Sequence, residues 1–520
     1  MALDYKTYAE AKDKFSWSQR WDLFDGNRDR FNVAHECLDR HDKKEVGLRI
    51  KFPDRRSEIY TFGELQRLSS QFAHHLERLG VGFGDRVAVL LHPSIEFYTS
   101  LYGVCRRGAV LVPLSPLFGP EGIDFRLADA QAAAVVTTYE QARTIGSEVI
   151  EKLRPKLIYA EDLLSNLKRE ADQYEPKTSG RDLCAIQYSS GTTGAPKPIK
   201  YAHDTISVSA VIMKIAMGLR SSDTYFCPAS PSWGHGIWYG TMVPMVFGKA
   251  AGVLSGKYDP ELCLEALEEF GVTNMTGIAS HYRLMIQTGK ASKYNLKLRM
   301  ISFAGEAMSK DVIQRITDEW GIVPHTQYGS TEAGPITVDY GGFEDWVVKP
   351  GSLGKPMIGR PEPCLLDDEG NELPHGRIGQ VAVPRGDQWV RVGDLAYRDE
   401  DGYFWYVGRA DDVIISSGNT IGPLDVEGTL AKHPAVAECA VVGSPDKDRG
   451  TVVKAFVKLS AGYEASDGLK RDIQDFVKDK LAKYEYPREV EFIDELPKTP
   501  DGKVKRKVLR NLEEARRSEI

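Results

Sequence analysis

Residues 188–200 combine the side chains that hold phosphate in proteins. They read YSSGTTGAPKPIK, follow an apolar run, and are predicted to form a loop. Gly191 and Gly194 let the backbone approach an anion and turn N–H groups toward it, and Lys197 adds a positive charge. The hydroxyl donors of the same run are Ser189, Ser190, Thr192 and Thr193. The segment therefore predicts a phosphate-binding loop.

This loop differs from the Walker loop of other nucleotide-binding proteins. The Walker pattern needs a glycine directly before its lysine and a hydroxyl directly after it, whereas Lys197 lies between Pro196 and Pro198. The residues GTTG alone would be typical of an ordinary glycine turn with solvated hydroxyls. The full run, with its proline and lysine, favours phosphate binding.

The composition limits the classes of protein and partner. A chain of 520 residues is longer than one hydrophobic core usually supports, so at least two domains are expected. The proportions of 42% hydrophobic and 27% charged residues are typical of a soluble globular protein. The net charge of −7 argues against nucleic acid as the main partner, because binding to a phosphate backbone needs a broad basic surface. Acidic small molecules must then meet local basic pockets.

The cysteines and the N-terminus indicate a reducing compartment. The seven cysteines are far apart, odd in number and without a CxxC pair, which argues against a disulfide framework or a structural zinc site. The first residues, MALDYKTYAEAKDK, lack the apolar core of a signal peptide. No apolar run approaches the roughly 20 residues of a membrane helix. We expect a cytosolic protein.

Helix and strand patterns alternate from Tyr60 onward. Apolar residues spaced by three and four after Thr61 predict an amphipathic helix, and Thr61 with Glu64 forms a capping-box pattern. A helix is also predicted at 94–107. Strands are predicted at 86–91, 109–114, 132–138, 272–278, 300–304 and 379–383. This order predicts an α/β fold with mostly parallel sheets flanked by helices.

The pattern changes near Arg409. After it, about a hundred residues contain short strands and one charged helix, which is enough for a small α+β domain. The predicted strands are 439–442, 452–459 and 490–493, and the predicted helix is 469–481. We place the domain boundary between residues 409 and 410, giving domains 1–409 and 410–520.

Four further motifs accompany the phosphate loop in a fixed order. They are QYGSTEAG at 327–334, VGDLA at 392–396, DGYFWYVGRADD at 401–412 and LPKTPDGKVKR at 496–506. Together with YSSGTTGAPK they resemble the adenylate-forming superfamily of acyl-CoA synthetases, adenylation domains of peptide synthetases, and luciferases. The resemblance covers nearly the whole chain. The runs FNVAHECLDR and SSGNTIGPLDVE are most similar to the medium-chain and benzoate-type acyl-CoA synthetases.

The resemblance implies a large N-terminal domain, a mobile C-terminal domain, and activation of a carboxylic acid by ATP and Mg²⁺ before transfer to coenzyme A. A carboxylate has no acceptable leaving group, so thiols do not attack it usefully, whereas they do attack an acyl-AMP anhydride. Because anions must be brought together, such a site needs fixed cations and a metal ion. By resemblance, Glu332 holds Mg²⁺, Thr331 and the loop hydroxyls contact phosphate, and Lys197 serves the departing pyrophosphate.

Other residues are assigned to the nucleoside by the same resemblance. Asp394 accepts both ribose hydroxyls, a task that suits a carboxylate, and Arg409 reaches the same sugar. Tyr328 stacks on adenine. The residues that frame the base are Gly305, Glu306 and Ala307, and Gly329 follows the stacking tyrosine. Taken singly, Asp394 would suit a turn, and Tyr328 core packing.

Lys503 carries the most specific assignment. It matches the family lysine that bridges the carboxylate and the α-phosphate during adenylation. On composition alone it would be one more charge in the basic tail formed by Lys498, Lys505, Arg506 and Lys507. Rotation about the hinge Asp411 is expected to withdraw Lys503 and to bring Ser417 and Gly418 to the thiol tunnel, where glycine allows pantetheine to pass close to the backbone.

The resemblance also assigns two residues to the binding of coenzyme A. Arg449 and Lys478 occupy places where related enzymes contact the phosphates of coenzyme A, although both also fit a solvated face. Two residues depart from the family pattern: Pro198 replaces the glycine after the loop lysine, and Thr420 stands where relatives often have arginine. Neither departure touches the core chemistry.

The acyl pocket is predicted to be deep. Acetate-specific relatives carry a tryptophan where this chain has Gly329. Candidate walls come from the run SWGHGIWYG, which equally suits core aromatics: Trp233, His235, Gly236, Trp238 and Tyr239. Together with Gly329 they favour an acid larger than acetate, medium-chain, branched or aromatic.

Three alternatives remain open from the sequence. The first is an adenylation enzyme that loads a carrier protein in trans. The second is a nucleotide-binding pseudoenzyme, suggested by Pro198 and Thr420 alone. The third is a luciferase-like oxidation. The natural acid and the oligomeric state, including a homo-oligomer, are not determined by the sequence.

Overall fold

The computed structural model describes residues 3–188, 196–330, 333–386, 388–416, 419–446, 450–498 and 503–518. The chain divides into two compact units. The first comprises Met1–Ser302 with Tyr340–Trp346, and the second comprises Phe303–Asp339 with Val347–Ile520. The predicted boundary between residues 409 and 410 lies inside the second unit and stays a prediction.

The first unit contains the two helices predicted from the sequence, near residues 62–79 and 94–107, and further helices that were not predicted. They are α1 (Tyr8–Lys14), α2 (Phe62–Arg78), α3 (Ile95–Arg107), α4 (Pro120–Ala130), α5 (Tyr139–Ala142), α6 (Ser147–Leu153), α7 (Ala160–Leu167), α8 (Thr205–Ile215), α9 (Val243–Val246), α10 (Pro260–Glu269) and α11 (Ala279–Gln287). Short 3₁₀ turns span Trp17–Leu23 and Ala291–Lys293, and π-helical turns span His35–Asp39 and His235–Met242. The predicted capping box of α2 is confirmed, because the Thr61 hydroxyl accepts from the Glu64 amide and the Glu64 carboxylate accepts from the Thr61 amide at 2.8 Å.

The strands of the first unit lie between these helices. They are β1 (Val46–Lys51), β2 (Ser57–Thr61), β3 (Arg86–Leu90), β4 (Val110–Leu114), β5 (Ala134–Thr137), β6 (Lys156–Tyr159), β7 (Leu183–Tyr188), β8 (Pro198–Ala202), β9 (Tyr225–Phe226), β10 (Ala251–Leu254), β11 (Asn274–Ile278) and β12 (Met300–Ala304). Strand β12 contains the division between the two units.

The largest sheet of the first unit has the order β6-β5-β3-β4-β7-β8. Its strands pair in parallel, except that β8 runs antiparallel to β7. Strand β4 and residues 87–90 of β3 are buried and apolar, as parallel strands covered by helices on both faces require. The prediction of an α/β fold with mostly parallel sheets is confirmed. In a smaller sheet, β1 pairs with β10 in parallel and with β2 antiparallel.

The phosphate-loop segment connects the last two strands at one edge of this sheet. β7 ends at Tyr188, which pairs with Pro198, the first residue of β8. The prediction of a loop over the whole of 188–200 was therefore wrong at both ends, because Tyr188 is the last residue of β7 and residues 198–200 belong to β8. Proline is tolerated there because the first residue of a strand can do without its N–H. Residues 189–195 lie outside the described residues.

The second unit has fewer helices and more strands. Its helices are α12 (Lys310–Trp320), α13 (Pro423–Leu430), α14 (Asp467–Lys478) and α15 (Arg506–Ser518). Its strands are β13 (His325–Ser330), β14 (Gly334–Val338), β15 (Lys355–Pro356), β16 (Cys364–Leu366), β17 (Gly379–Arg385), β18 (Gln388–Arg398), β19 (Phe404–Arg409), β20 (Ile414–Ser416), β21 (Asn419–Ile421), β22 (Val436–Asp446), β23 (Gly450–Leu459) and β24 (Glu489–Phe492).

Two sheets of the second unit matter for the site. One is antiparallel, with the order β16-β17-β18-β19. The other has the order β22-β23-β24, and its two faces carry different helices because successive strand residues point to opposite sides. Val441 packs with Val477 of α14, whereas Val442 packs with Leu509 of α15. This arrangement confirms the predicted small α+β fold. Across the described ranges, no helix has the length and apolarity that crossing a lipid bilayer requires.

Candidate active site

A buried carboxylate on β18 is the centre of a polar cluster in the second unit. Asp394 is 7% exposed and pairs across the ladder with Arg409 at the end of β19. The hydroxyl of Tyr328, on β13, donates to Asp394 Oδ2 at 2.7 Å, and Arg409 Nη1 donates to Oδ1 at 3.4 Å. Three of the residues predicted to hold a nucleoside are therefore brought together.

Glycine is required beside this carboxylate. Gly393 has a φ of +80°, and a Cβ there would lie 2.9 Å from an Nη atom of Arg409. The absence of a side chain thus lets the guanidinium approach the strand, where Nη1 also donates to the Val392 carbonyl at 3.2 Å. The VGDLA motif therefore has a packing reason for its glycine.

The electrostatics of the cluster follow from burial. Burial raises the pKa of Asp394, and the Tyr328 hydroxyl and the Arg409 guanidinium oppose that rise because both stabilise the carboxylate anion. Burial, together with the neighbouring Asp394 charge, raises the pKa of Tyr328, so the phenol stays a donor. Each carboxylate oxygen has two lone pairs and can accept a further hydrogen bond. Such a group suits a ligand with two adjacent hydroxyls.

The predicted hinge residue is held by arginines on both sides. Asp411 Oδ1 accepts from Arg409 Nε at 3.3 Å, and its Oδ2 lies 3.8 Å from an Nη atom of Arg510 on α15. Arg510 also forms an ion pair with Asp412. The two aspartates after β19 are therefore tied to the C-terminal helix, and Asp411 is also tied to Arg409 of the polar cluster.

Lys503 lies directly before α15. It is half-buried, and its neighbour Val504 forms a bridge with Lys498 while the Lys505 amide donates to the Pro497 carbonyl at 2.8 Å. Val504 packs against the apolar cluster that holds Leu509. The backbone on the C-terminal side of Lys503 is therefore fixed by sheet, helix and core contacts.

Residues after β12 approach the start of the same helix. Gly305 has a φ of +85°, and Ala307 is half-buried. Arg506 makes a two-pronged contact with Glu427, with Nε at 3.1 Å from Oε1 and an Nη atom at 2.6 Å from Oε2. Burial would lower the pKa of Arg506, but Glu427, with a smaller contribution from Glu306, raises it. Glu306 thus lies within electrostatic range of α15.

The aromatic residues predicted as acyl walls lie in the first unit, and each contacts another ring. Trp233 lies edge-on to Phe118 with ring centres 5.8 Å apart, and Trp238 lies edge-on to Tyr201 at 5.2 Å. His235 Nε2 is 3.0 Å from the Thr276 hydroxyl, and its ring lies 5.4 Å from that of Tyr239. We call the residues from Trp233 to Tyr239, with Tyr201, the aromatic wall.

Two predicted substrate residues are glycines for steric reasons. A Cβ on Gly236 would meet the Ser230 carbonyl oxygen at 2.0 Å, and a Cβ on Gly329 would meet the Gly334 carbonyl oxygen at 2.3 Å. No larger residue fits either position without movement of the backbone. Gly329 belongs to the second unit, and the other predicted substrate residues belong to the first.

Two predicted site lysines are exposed, and other predicted site residues lie outside the described residues. Lys197 is exposed before β8, and Lys478 is exposed on α14 with its ammonium group 5.5 Å from the Tyr486 ring centre. The predictions that lie outside the described residues are Ser189, Ser190, Gly191, Thr192, Thr193, Gly194, Thr331, Glu332, Gly418 and Arg449. The assignments of Lys197 and Lys478 stay predictions.

The metal prediction rests on one of these residues. Within the described ranges, no three histidine, cysteine or acidic side chains cluster as metal ligands would. Glu332, the predicted Mg²⁺ ligand, is outside them. The magnesium site therefore stays a prediction.

Sequence reasoning missed the residues that support the cluster. Arg506 and Arg510 are one turn apart on α15 and contact Glu427 and Asp412. The signal available in the sequence was that these two arginines follow the DGK motif and are four residues apart, which places them on the same face of a helix. A buried glutamine in the apolar strand β7, Gln187, was also missed, and its polarity within that strand was the available signal.

Comparison with known proteins matches both parts of the chain. The family model described as "AMP-binding enzyme" matches residues 38–391, and the model described as "AMP-binding enzyme C-terminal domain" matches residues 425–503. The predicted domain boundary falls in the interval between the two matches.

Curated relatives are similar over nearly the full length. An acetyl-coenzyme A synthetase of Bacillus subtilis is 34% identical over 97% of this chain and 95% of its own. The mitochondrial acyl-coenzyme A synthetase ACSM3 of Rattus norvegicus is 34% identical over 93% of this chain and 90% of its own.

Solved structures share the fold. An acyl-CoA synthetase of Brucella canis has a TM-score of 0.75 and 32% identity, covering 99% of this chain and 100% of its own. The anthranilate CoA ligase AuaEII in complex with anthranoyl-AMP has a TM-score of 0.84 and 28% identity, covering 94% and 98%. A benzoate CoA ligase of Burkholderia xenovorans LB400 has a TM-score of 0.79 and 25% identity, covering 92% and 100%. The chain therefore belongs to the family of AMP-binding enzymes, and its resemblance to the AMP-forming acyl-CoA synthetases is confirmed.

Proposed function

We propose that the protein is an AMP-forming acid:CoA ligase that activates a carboxylic acid larger than acetate. The observation that carries this proposal is the buried carboxylate of Asp394, held by Tyr328 and Arg409, in a chain that matches the AMP-binding family along both of its parts. A buried acceptor for two hydroxyls is what recognition of a ribose requires.

The reaction has two steps. A carboxylate oxygen of the acid attacks the α-phosphorus of ATP, pyrophosphate leaves, and acyl-AMP forms. The sulfur of coenzyme A then attacks the acyl carbon, AMP leaves, and the thiol proton is released. The first step gathers negative charge, so cationic side chains dominate it, whereas the second needs an open path for the thiol.

The proposed reaction assigns a role to each of five described residues. Asp394 accepts hydrogen bonds from the ribose hydroxyls, with Tyr328 and Arg409 orienting it. Lys503 contacts the reacting oxygens, and Lys197 the pyrophosphate. If Mg²⁺ binds at Glu332, it would supply neutralisation of the phosphate charge.

The proposed acid follows from the residues and the relatives. The named relatives include an anthranilate CoA ligase, a benzoate CoA ligase and an acetyl-coenzyme A synthetase. Gly329, where acetate-specific relatives carry tryptophan, and the aromatic wall favour the larger, medium-chain, branched or aromatic acids. Because two of these relatives are named as CoA ligases, coenzyme A is favoured over a carrier protein as the acceptor.

A cytosolic location and a homo-oligomer are further parts of the proposal, although the relative ACSM3 is named as mitochondrial.

The proposal is tested with purified protein and a panel of acids. Acid-dependent exchange of label between pyrophosphate and ATP should occur, and acyl-CoA should form when coenzyme A is present. Exchange without thioester formation would favour carrier-protein loading. No exchange with any acid would identify a pseudoenzyme and refute the proposal, and light or oxygen consumption would point to oxidation.

Replacing Tyr328 with phenylalanine should weaken ATP binding at low pH. The phenol stabilises the Asp394 anion, so its loss raises the pKa of Asp394 further above its ordinary value. As pH falls, the variant then protonates this acceptor earlier than the wild type does. We expect binding up to about tenfold weaker at the low end of a titration from about pH 8 to pH 5.

The control is Tyr397→Phe, on the same strand as Asp394. Tyr397 stacks on Trp405 at 6.1 Å between ring centres, so its ring is kept and only a hydroxyl remote from Asp394 is lost. Its ATP affinity should follow the wild-type pH curve. Identical curves for Tyr328→Phe and wild type would contradict the assignment of Asp394.

A further inference from the structure

Gln187 on β7 is a buried polar residue without a visible structural task. Its side chain is 3% exposed, and neither its amide nitrogen nor its amide oxygen has a hydrogen-bond partner among the described residues. Leaving a buried amide unpaired destabilises the fold, and an apolar residue of similar shape would avoid this cost. Residues that reduce stability in this way are often kept for function.

A second glutamine of the same unit shows the ordinary case. Gln71 on α2 is 4% exposed, as buried as Gln187. Its amide nitrogen donates to an oxygen of Asp172 at 2.8 Å, and its amide oxygen accepts from Arg67 at 3.4 Å. Burial of a glutamine in this protein therefore does not by itself leave the amide unpaired.

The strand directs the Gln187 amide to the aromatic wall. Successive residues of a strand point to opposite faces, and the neighbour Tyr188 donates its hydroxyl to Asp129 at 2.7 Å on one face. On the other face lies Gly234, where a Cβ would be 3.6 Å from Gln187 Oε1 and 4.0 Å from the Tyr201 hydroxyl. Gly234 directly precedes His235, so the unpaired amide faces the start of the predicted acyl wall.

We propose that Gln187 determines specificity by hydrogen bonding to a polar substituent of the acid. This inference rests on the proposed function and narrows it. An amide offers two N–H donors and one carbonyl acceptor, so it pairs with a hydroxyl or amino group, which has both kinds of atom. The substrate class is then a hydroxy- or amino-substituted carboxylic acid, with the substituent away from the reacting carboxylate.

Matched pairs of acids test this inference. Each parent, benzoate or hexanoate, is compared with its hydroxy- and amino-substituted forms by kcat/KM for thioester formation. In the wild type the best substituted acid should exceed its parent. In Gln187→Met, which keeps the length of the side chain, the ratio of substituted to parent acid should fall by about 10- to 100-fold. In the control Gln71→Met the ratio should stay at the wild-type value.

Thermal unfolding without substrate separates a binding role from a structural one. Gln187→Met should unfold at the wild-type temperature or higher, because the substitution removes no hydrogen bond to a described residue, whereas Gln71→Met should unfold at a lower temperature. A lowered unfolding temperature for Gln187→Met would overturn the inference, as would an unchanged ratio of substituted to parent acid. Failure of every acid to give a thioester would instead refute the proposed function itself.

Discussion

Replacing Lys503 with alanine is expected to slow acyl-adenylate formation by about 100- to 1,000-fold, which corresponds to roughly 3 to 4 kcal/mol. The proposed reason is that its ammonium group stabilises the charge that grows on the phosphoryl oxygens while the carboxylate approaches. Thioester formation from supplied acyl-AMP should continue at the wild-type rate, because that step does not transfer a phosphoryl group. The two half-reactions are measured separately, by pyrophosphate exchange and by thiol consumption.

Nearby lysines provide the control for this substitution. Lys505 and Lys507 are exposed in the same basic segment, so Lys507→Ala removes a charge without removing the proposed catalytic group. It should leave both half-reactions within about twofold of wild type, as for an exposed charge. Equal losses in both half-reactions of Lys503→Ala would show that the lysine acts through the fold and not in adenylation.

Ion pairs surround the proposed hinge residue Asp411. Asp411 contacts Arg409 and Arg510, and Asp412 contacts Arg510. Rotation about Asp411 must break or exchange some of these ion pairs. The Arg409–Asp411 pair is about half exposed, and such ion pairs are weak, so its exchange costs little, which is compatible with a domain that rearranges in each catalytic cycle.

Local patterns predicted part of the fold, and the structure has a helix or strand at each predicted position. The capping box at Thr61 and the apolar strands near residues 86 and 110 are local signals, because each depends on residues close in the chain. Their ends were less certain, as the helix predicted at 469–481 shows, since it spans Asp467–Lys478. The loop prediction failed at Pro198 because proline usually marks loops, and only the pairing with Tyr188 identifies a strand.

The candidate site was predictable only as a set of separate motifs. Tyr328 and Asp394 are 66 residues apart, and their hydrogen bond depends on the packing of different strands. Glu427 and Arg506 are 79 residues apart and had no shared motif. The steric need for Gly236 is likewise set by a carbonyl oxygen of Ser230 that only the folded chain brings near. Long-range contacts of this kind have no periodic signal in a sequence.

Helix α15, which begins three residues after Lys503, is anchored by a buried ionic network. Lys454 on β23 is 7% exposed, and its ammonium group lies 2.8 Å from both Glu491 and Glu513. Glu513, on α15, is 1% exposed and also accepts from the Ser444 hydroxyl at 2.9 Å. The network thus ties α15 to the sheet on which it packs.

Replacing Lys454 with methionine should destabilise this part of the protein by about 3 to 5 kcal/mol, because Glu513 then remains buried and, among the described residues, keeps Ser444 and the half-exposed Arg516 as its partners. Hydrogen exchange of amides in β22, β23 and α15 measures the free energy of opening. Adding Glu513→Leu should restore much of the loss, since no charge is then left buried. The control Lys470→Met removes an exposed lysine paired with Asp467 and should cost less than about 1 kcal/mol. If the double variant opened as easily as Lys454→Met alone, the lysine would contribute by packing. The ion pair with Glu513 would then not be what holds α15.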